Sequence, residues 1–143
     1  MDIKTELIEP LYKIHEMLAN NNTELSSVLS IVKHTIYPGF IATIPNNLIL
    51  LDFIKFIESN YKKTFGTKDE NYLVFTRDFY SQISNHCDMK EGLNQNNLFL
   101  FRELCSNKKK NCYDGLDKYK KCCYITLNRK RIIKTRYSDY PWK

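Results

Sequence analysis

Histidine and cysteine are the side chains with the widest chemical repertoire, and here they fall at His15, His34, His86, Cys87, Cys105, Cys112, Cys122 and Cys123. Thiolates and imidazoles are the preferred protein ligands of zinc, so His86 with five cysteines invites a metal reading. The spacing argues against it. Structural zinc sites use paired Cys-x-x-Cys elements, whereas six residues separate Cys105 from Cys112 and nine separate Cys112 from Cys122. Cys105 is instead expected on a helix face, with one of Cys122 and Cys123 pointing inward from a strand as a small hydrophobe. An odd number of cysteines, behind an N-terminus without the basic-then-apolar build of an export signal, predicts five free thiols in a reducing compartment. No metal and no cofactor are expected.

Catalytic patterns are equally absent from the sequence. His15 and His34 have no Ser or Cys nucleophile pattern beside them and no His-Glu-x-x-His. Asp52, Glu58, Asp69, Glu70 and Asp78 are scattered without the arrangement that acid/base work needs. The expectation is that the chain is not an enzyme.

Charge is the informative feature. Residues 101–143 carry thirteen Lys and Arg against four Asp and Glu, while residues 1–100 carry nine against twelve, together giving the overall +6. The excess runs through Lys108, Lys109, Lys110, Lys118, Lys120, Lys121, Arg129, Lys130, Arg131, Lys134 and Arg136. Positive charge concentrated in this way is the footprint of a surface that meets a polyanion, nucleic acid first. Three adjacent lysines alone are more often a solvated loop. Three successive clusters interleaved with Tyr113, Tyr119, Tyr124 and Tyr137 carry more weight, because aromatics stack bases between phosphate contacts, which keeps RNA in view behind DNA.

At 143 residues, 43% of them hydrophobic and with 8 Phe and 10 Tyr, the chain reads as one domain with a real core. No apolar run approaches the ~20 residues of a membrane span; residues 48–57 are broken by Asp52 and Lys55. No membrane association is expected, and the localisation reads as intracellular, in cytoplasm or nucleus of a host cell. Fourteen Asn and seventeen Lys beside four Gly and four Pro resemble the product of an AT-rich viral or parasite genome.

The elements that must position these residues follow from periodicity. Pro10 opens a helix with Leu11, Ile14 and Leu18 on one face, ended by Asn20-Asn21-Asn22. Thr23 caps a second, with Leu25, Val28, Leu29, Val32 and Ile36 at helical spacing until Pro38-Gly39. Residues 1–40 thus read as a helical hairpin. Asn46 or Asn47 caps an apolar helix from Leu48 to about Tyr61, expected to be buried on most sides. Tyr72-Leu73-Val74-Phe75 reads as a short strand, residues 78–86 as a helix capped by Thr76, and residues 94–105 as a helix with Leu98, Phe101, Leu104 and Cys105 on one face. Asp114-Gly115 signals a turn before the strand at 122–127. The fold class is α+β, mainly helical: the hairpin, a winged-helix-like unit over 46–127 with a small basic β-hairpin, and a basic aromatic tail over 128–143.

Residues 51–127 resemble the C-terminal winged-helix segment of the viral and phage primase-helicases, including the poxvirus type. The resemblance rests on Val74-Phe75-Thr76-Arg77-Asp78-Phe79-Tyr80, on Leu98-Phe99-Leu100-Phe101 and on Tyr124-Ile125-Thr126-Leu127. It covers about half the chain. With no Gly-x-x-x-x-Gly-Lys-Ser/Thr loop and no primase carboxylate cluster, it implies a free-standing DNA-binding module. Asn94, Gln95, Asn97 and Arg102 would then face bases from the third helix, and Lys118, Lys120 and Lys121 would form the wing.

A rival expectation is a helical host-interaction protein, such as a viral inhibitor of apoptosis or signalling, that takes a partner helix into an apolar groove around residues 48–57. The tail, with Tyr137, Tyr140 and Trp142, is expected to pack back on the domain; failing that, it docks a second copy or a host protein.

Overall fold

The computed structural model describes residues 5–61, 70–112, 115–116 and 120–135. Runs of branched and aromatic residues place seven strands in one curled sheet: β1 (Thr5–Leu7), β2 (Leu25–Leu29), β3 (Ile36–Thr43), β4 (Gly92–Leu93), β5 (Leu98–Ser106), β6 (Cys122–Leu127) and β7 (Lys130–Thr135). Among the described residues three α-helices accompany them: α1 (Leu11–Asn20), α2 (Leu48–Tyr61) and α3 (Glu70–Ser84). The order across the sheet is β1-β7-β6-β5-β2-β3, with β4 on β5. Neighbours are antiparallel except β2 and β5, which run parallel. Parallel neighbours need a long crossover, and the segment carrying α2 and α3 supplies it.

Two clusters fill the two faces. Leu25, Leu29, Leu98 and Leu100 face α2 and α3, where Phe53 stacks on Phe79 with ring centroids 4.5 Å apart. Val28, Phe99, Phe101, Ile125 and Ile133 face the other way, with Ile14 of α1 among them.

Those two faces explain the main corrections. The fold is not mainly helical, the 1–40 hairpin of helices does not form, and 46–127 is not a winged helix. β2 and β5 are central strands buried on both sides, so every residue of 25–29 and of 98–101 is buried and the alternation that marks a one-sided strand vanishes. Such a run contains apolar residues at helical spacing by necessity. The expected break at Pro38-Gly39 lies inside β3, an edge strand whose pairing with β2 shifts register between Ser26 and Val28. Edge strands and bulges are where a sheet tolerates proline. Gly39 is needed there, since an added Cβ would fall on the Tyr37 ring.

Residues 72–75, expected as a strand, belong to α3. Phe75, Phe79 and Ile83 recur every four residues, and both phenylalanines contact Phe53. α2 forms as expected, with the Asn47 side chain accepting from the Leu50 amide at 3.0 Å. It is less buried than expected: Ile49 and Phe53 face the core, while Leu48 is 73% exposed. α1 and β6 also match their expected positions. Residues 130–135, read as tail, form β7 through a tight turn in which Asn128 and Arg129 both take positive φ, 49° and 67°. The expected turn at Asp114 and the packing of Tyr137, Tyr140 and Trp142 lie outside the described residues, as do Lys118, Tyr113, Tyr119 and Arg136.

Candidate nucleic-acid interface

The site is built at the end of the sheet where β2 and β5 finish and β6 begins. Parallel register sets Leu29 beside Arg102, so the loop of residues 30–35 emerges next to Glu103. That carboxylate is buried, and its Oε2 accepts from the Ser30 hydroxyl at 3.1 Å and the Ile31 amide at 3.2 Å. The loop closes through Ser30 N–H to the Thr35 carbonyl and Thr35 Oγ1 to the Val32 carbonyl, with His34 at φ 57°. Lys33 and His34 are thereby held at the rim of a cleft of about 380 Å³, together with Tyr80, Met89 and Arg102.

Antiparallel register then sets Ser106 opposite Cys122, which brings the turn at Lys109–Asn111 to the same end. Ser106 Oγ accepts from the Lys108 amide and the Asn111 side chain, both at 3.1 Å. Arg131 reaches across β6 with its guanidinium 4.5 Å above the Tyr124 ring and donates to the Asn111 carbonyl at 2.6 Å. A Cys112–Cys122 disulfide closes the turn against β6. Lys108, Lys109 and Lys110 stand exposed from it, beside exposed Lys120 and Lys121 at the start of β6.

The cysteines therefore do not remain five free thiols. Adjacent residues of a strand point to opposite faces, and Cys122 and Cys123 each use theirs. Cys123 pairs with Cys105 directly across from it on β5, and Cys122 pairs with Cys112 on the other side. Cys105 accordingly lies on a strand and not on a helix. Cys87 is the free cysteine, half-buried, and burial pushes its thiol above the ordinary range. Among the described residues no three His, Cys, Asp or Glu side chains come together as a metal site.

The remaining candidates lie elsewhere. Asn94, Gln95 and Asn97 flank or form the short 3₁₀ turn at the start of β5, and their side chains are committed to that loop. Asn94 bonds Lys90 and Gly92, Gln95 accepts from the Asp88 amide, and Asn97 donates to Glu24. No recognition helix presents them. β5 is nine residues long, so roughly 30 Å separates this loop from Lys108–Lys110. Arg102 is half-exposed and pairs with Glu91 at 3.5 Å. Arg129 and Lys130 sit at the far end of β6, where Lys130 meets Glu9 at 2.8 Å and holds that carboxyl below its ordinary range. Tyr124 is buried, so its own ring is not open for base stacking.

Lys33 is the contributor the sequence reading passed over, because a helix over 23–36 gave it no relation to the basic third. The signal that could have found it was the β-forming run on either side of Pro38-Gly39, which implies a hairpin with residues 30–35 at its tip. Comparison with protein-family models, with curated proteins and with solved structures finds no match for this chain.

Proposed function

We propose that this chain is a nucleic-acid-binding module that meets phosphate through the cationic end of its sheet, DNA ahead of RNA. The carrying observation is that Lys33, in the loop leaving β2, and Lys108–Lys110 and Lys120–Lys121, on either side of the β5–β6 connection, come from segments far apart in sequence and stand exposed toward one end of one sheet. The acid beside the 30–35 loop is occupied: Glu103 is buried under it and accepts from Ser30 and Ile31. Lysines on short turns act as point charges for phosphate, and none of Asn94, Gln95, Asn97 and Arg102 is presented by an α-helix, so binding depends weakly on sequence.

Fluorescence anisotropy with labelled duplex DNA, single-stranded DNA and duplex RNA tests this across a salt series. The expected result is micromolar-range binding at low salt whose log affinity falls linearly with log salt, with unrelated sequences equivalent. Absence of binding to all three at low salt would contradict it. A second reading, a host-protein partner, draws on one observation: Ile44, Leu48, Leu51 and Ile54 are exposed apolar side chains on and beside α2. Such a contact would be nearly indifferent to salt, which separates the two.

A further inference from the structure

Resting on that phosphate-binding reading, we propose that the Cys112–Cys122 disulfide is the device that sets the lysine turn in its binding geometry, so that reduction by a dithiol weakens polyanion binding. Among the described residues the turn has few other contacts to fix it. Residues 107–111 are all exposed and contribute nothing to either core cluster. Its own bonds are Asn111 N–H to the Lys108 carbonyl and Cys112 N–H to the Lys109 carbonyl, with the two Ser106 bonds and the Arg131 contact. Hydrogen bonds exposed to water contribute modestly, and local opening is easiest where apolar contacts are few.

The two disulfides differ in what they hold. Cys105–Cys123 joins strands already registered by the β5–β6 ladder, so the strands stay in place without it. Cys112–Cys122 joins an exposed turn to a strand, and Cys122 is buried while Cys112 is half-buried. Half-buried Cys112, on an exposed turn, gives a reductant its point of entry. A reductant thiolate attacks one sulfur, a mixed disulfide forms, and the other cysteine leaves as thiolate. The reductant's second thiol then resolves the intermediate, so the dithiol becomes a cyclic disulfide and Cys112 and Cys122 take up its two electrons and two protons. The freed turn spreads Lys108–Lys110 over many positions, and each phosphate contact must then also fix the chain that carries it.

The test compares the air-oxidised protein, the same protein in dithiothreitol, and two double variants, Cys112→Ser with Cys122→Ser and Cys105→Ser with Cys123→Ser. The probe is a fluorescein-labelled duplex DNA of arbitrary sequence. Reduction and the Cys112/Cys122 variant are each expected to weaken binding about tenfold at moderate salt and to flatten the salt slope. The Cys105/Cys123 variant should bind like the parent when oxidised and lose affinity on reduction. Hydrogen exchange on the wild-type chain gives a readout independent of any variant's folding: amides 111 and 112 should lose protection on reduction while those of β2 and β5 keep theirs. A thiol count on the denatured oxidised protein should find one group, Cys87. Binding and slope unchanged by reduction, or five titratable thiols, would overturn the proposal and leave the phosphate reading standing. Failure of the oxidised protein to bind at low salt removes both.

Discussion

The two ends of β6 both carry cations and use them differently. At its start, Lys108–Lys110 and Lys120–Lys121 project from short segments pinned by a disulfide, by Ser106 and by Arg131. At its finish, Arg129 sits on the two-residue turn with Asn128, and Lys130, the first residue of β7, is claimed by Glu9 at the entrance to α1. Net charge in the sequence does not distinguish these ends. Among the described residues the difference is Glu9, which the β1–β7 pairing brings within 2.8 Å of Lys130.

The largest expected effect bears on the pinned end. Each disulfide closes a short loop, with sequence separations of 10 and 18, and loops of that size restrict the unfolded chain by about 3 kcal/mol. Removing Cys105 and Cys123 together should lower stability by about that amount in urea unfolding, with the slope of the transition raised as the unfolded chain expands. A loss well under 1 kcal/mol would mean that the bond does not constrain the chain. Next comes the neighbouring loop. Glu103→Leu strands the Ile31 amide and the Ser30 hydroxyl, and should cost about 1–3 kcal/mol by the same measurement, with protection lost at residue 31.

The far end should be more tolerant. Arg129 takes φ 67°, where a side chain is strained, so Arg129→Gly should leave stability unchanged or raise it by up to about 1 kcal/mol, read as thermal midpoint. Glu9 gives the smallest effect, and its sign is fixed. The Lys130 hydrogen bond holds its folded pKa below the ordinary value of 4.5, so its contribution is present above that value and is lost as pH falls through the folded pKa. Glu9→Gln should therefore narrow the gap from wild type only below about pH 4.5, measured as stability against pH; a gap that widens on acidification would reverse the assignment.

How far these features were legible in the sequence depends on burial. α1, α2 and β6 could be read because each has one informative signal: a Pro10 start, an Asn47 cap, a run of strand formers. β2 and β5 could not, since burial on both faces erases the period of two and leaves Leu98, Phe101 and Leu104 at spacings that suit a helix equally well. The helix α3 was hidden by Tyr72-Leu73-Val74-Phe75, whose strand propensity yields to the packing of Phe75 and Phe79 on Phe53. For the site, the cations of residues 108–131 were legible as charge. Their division between two ends of one strand was not, nor the arrival of Lys33, because both depend on long-range pairing. The disulfides are not legible in the cysteine count, since an odd number requires only that one thiol, Cys87, be left over.

The central claim is that phosphate meets the pinned start of β6 and not the β6–β7 turn at its finish. It is tested most directly by the salt dependence of duplex DNA binding for two variants side by side, Lys108→Ala with Lys109→Ala and Lys110→Ala, and Arg129→Ala with Lys130→Ala. With each lost phosphate contact worth about 0.9 in the slope of log affinity against log salt, the lysine variant should be shallower than wild type by up to about three contacts, and the turn variant should match wild type. A lysine variant that keeps the wild-type slope while the turn variant loses it would contradict the account.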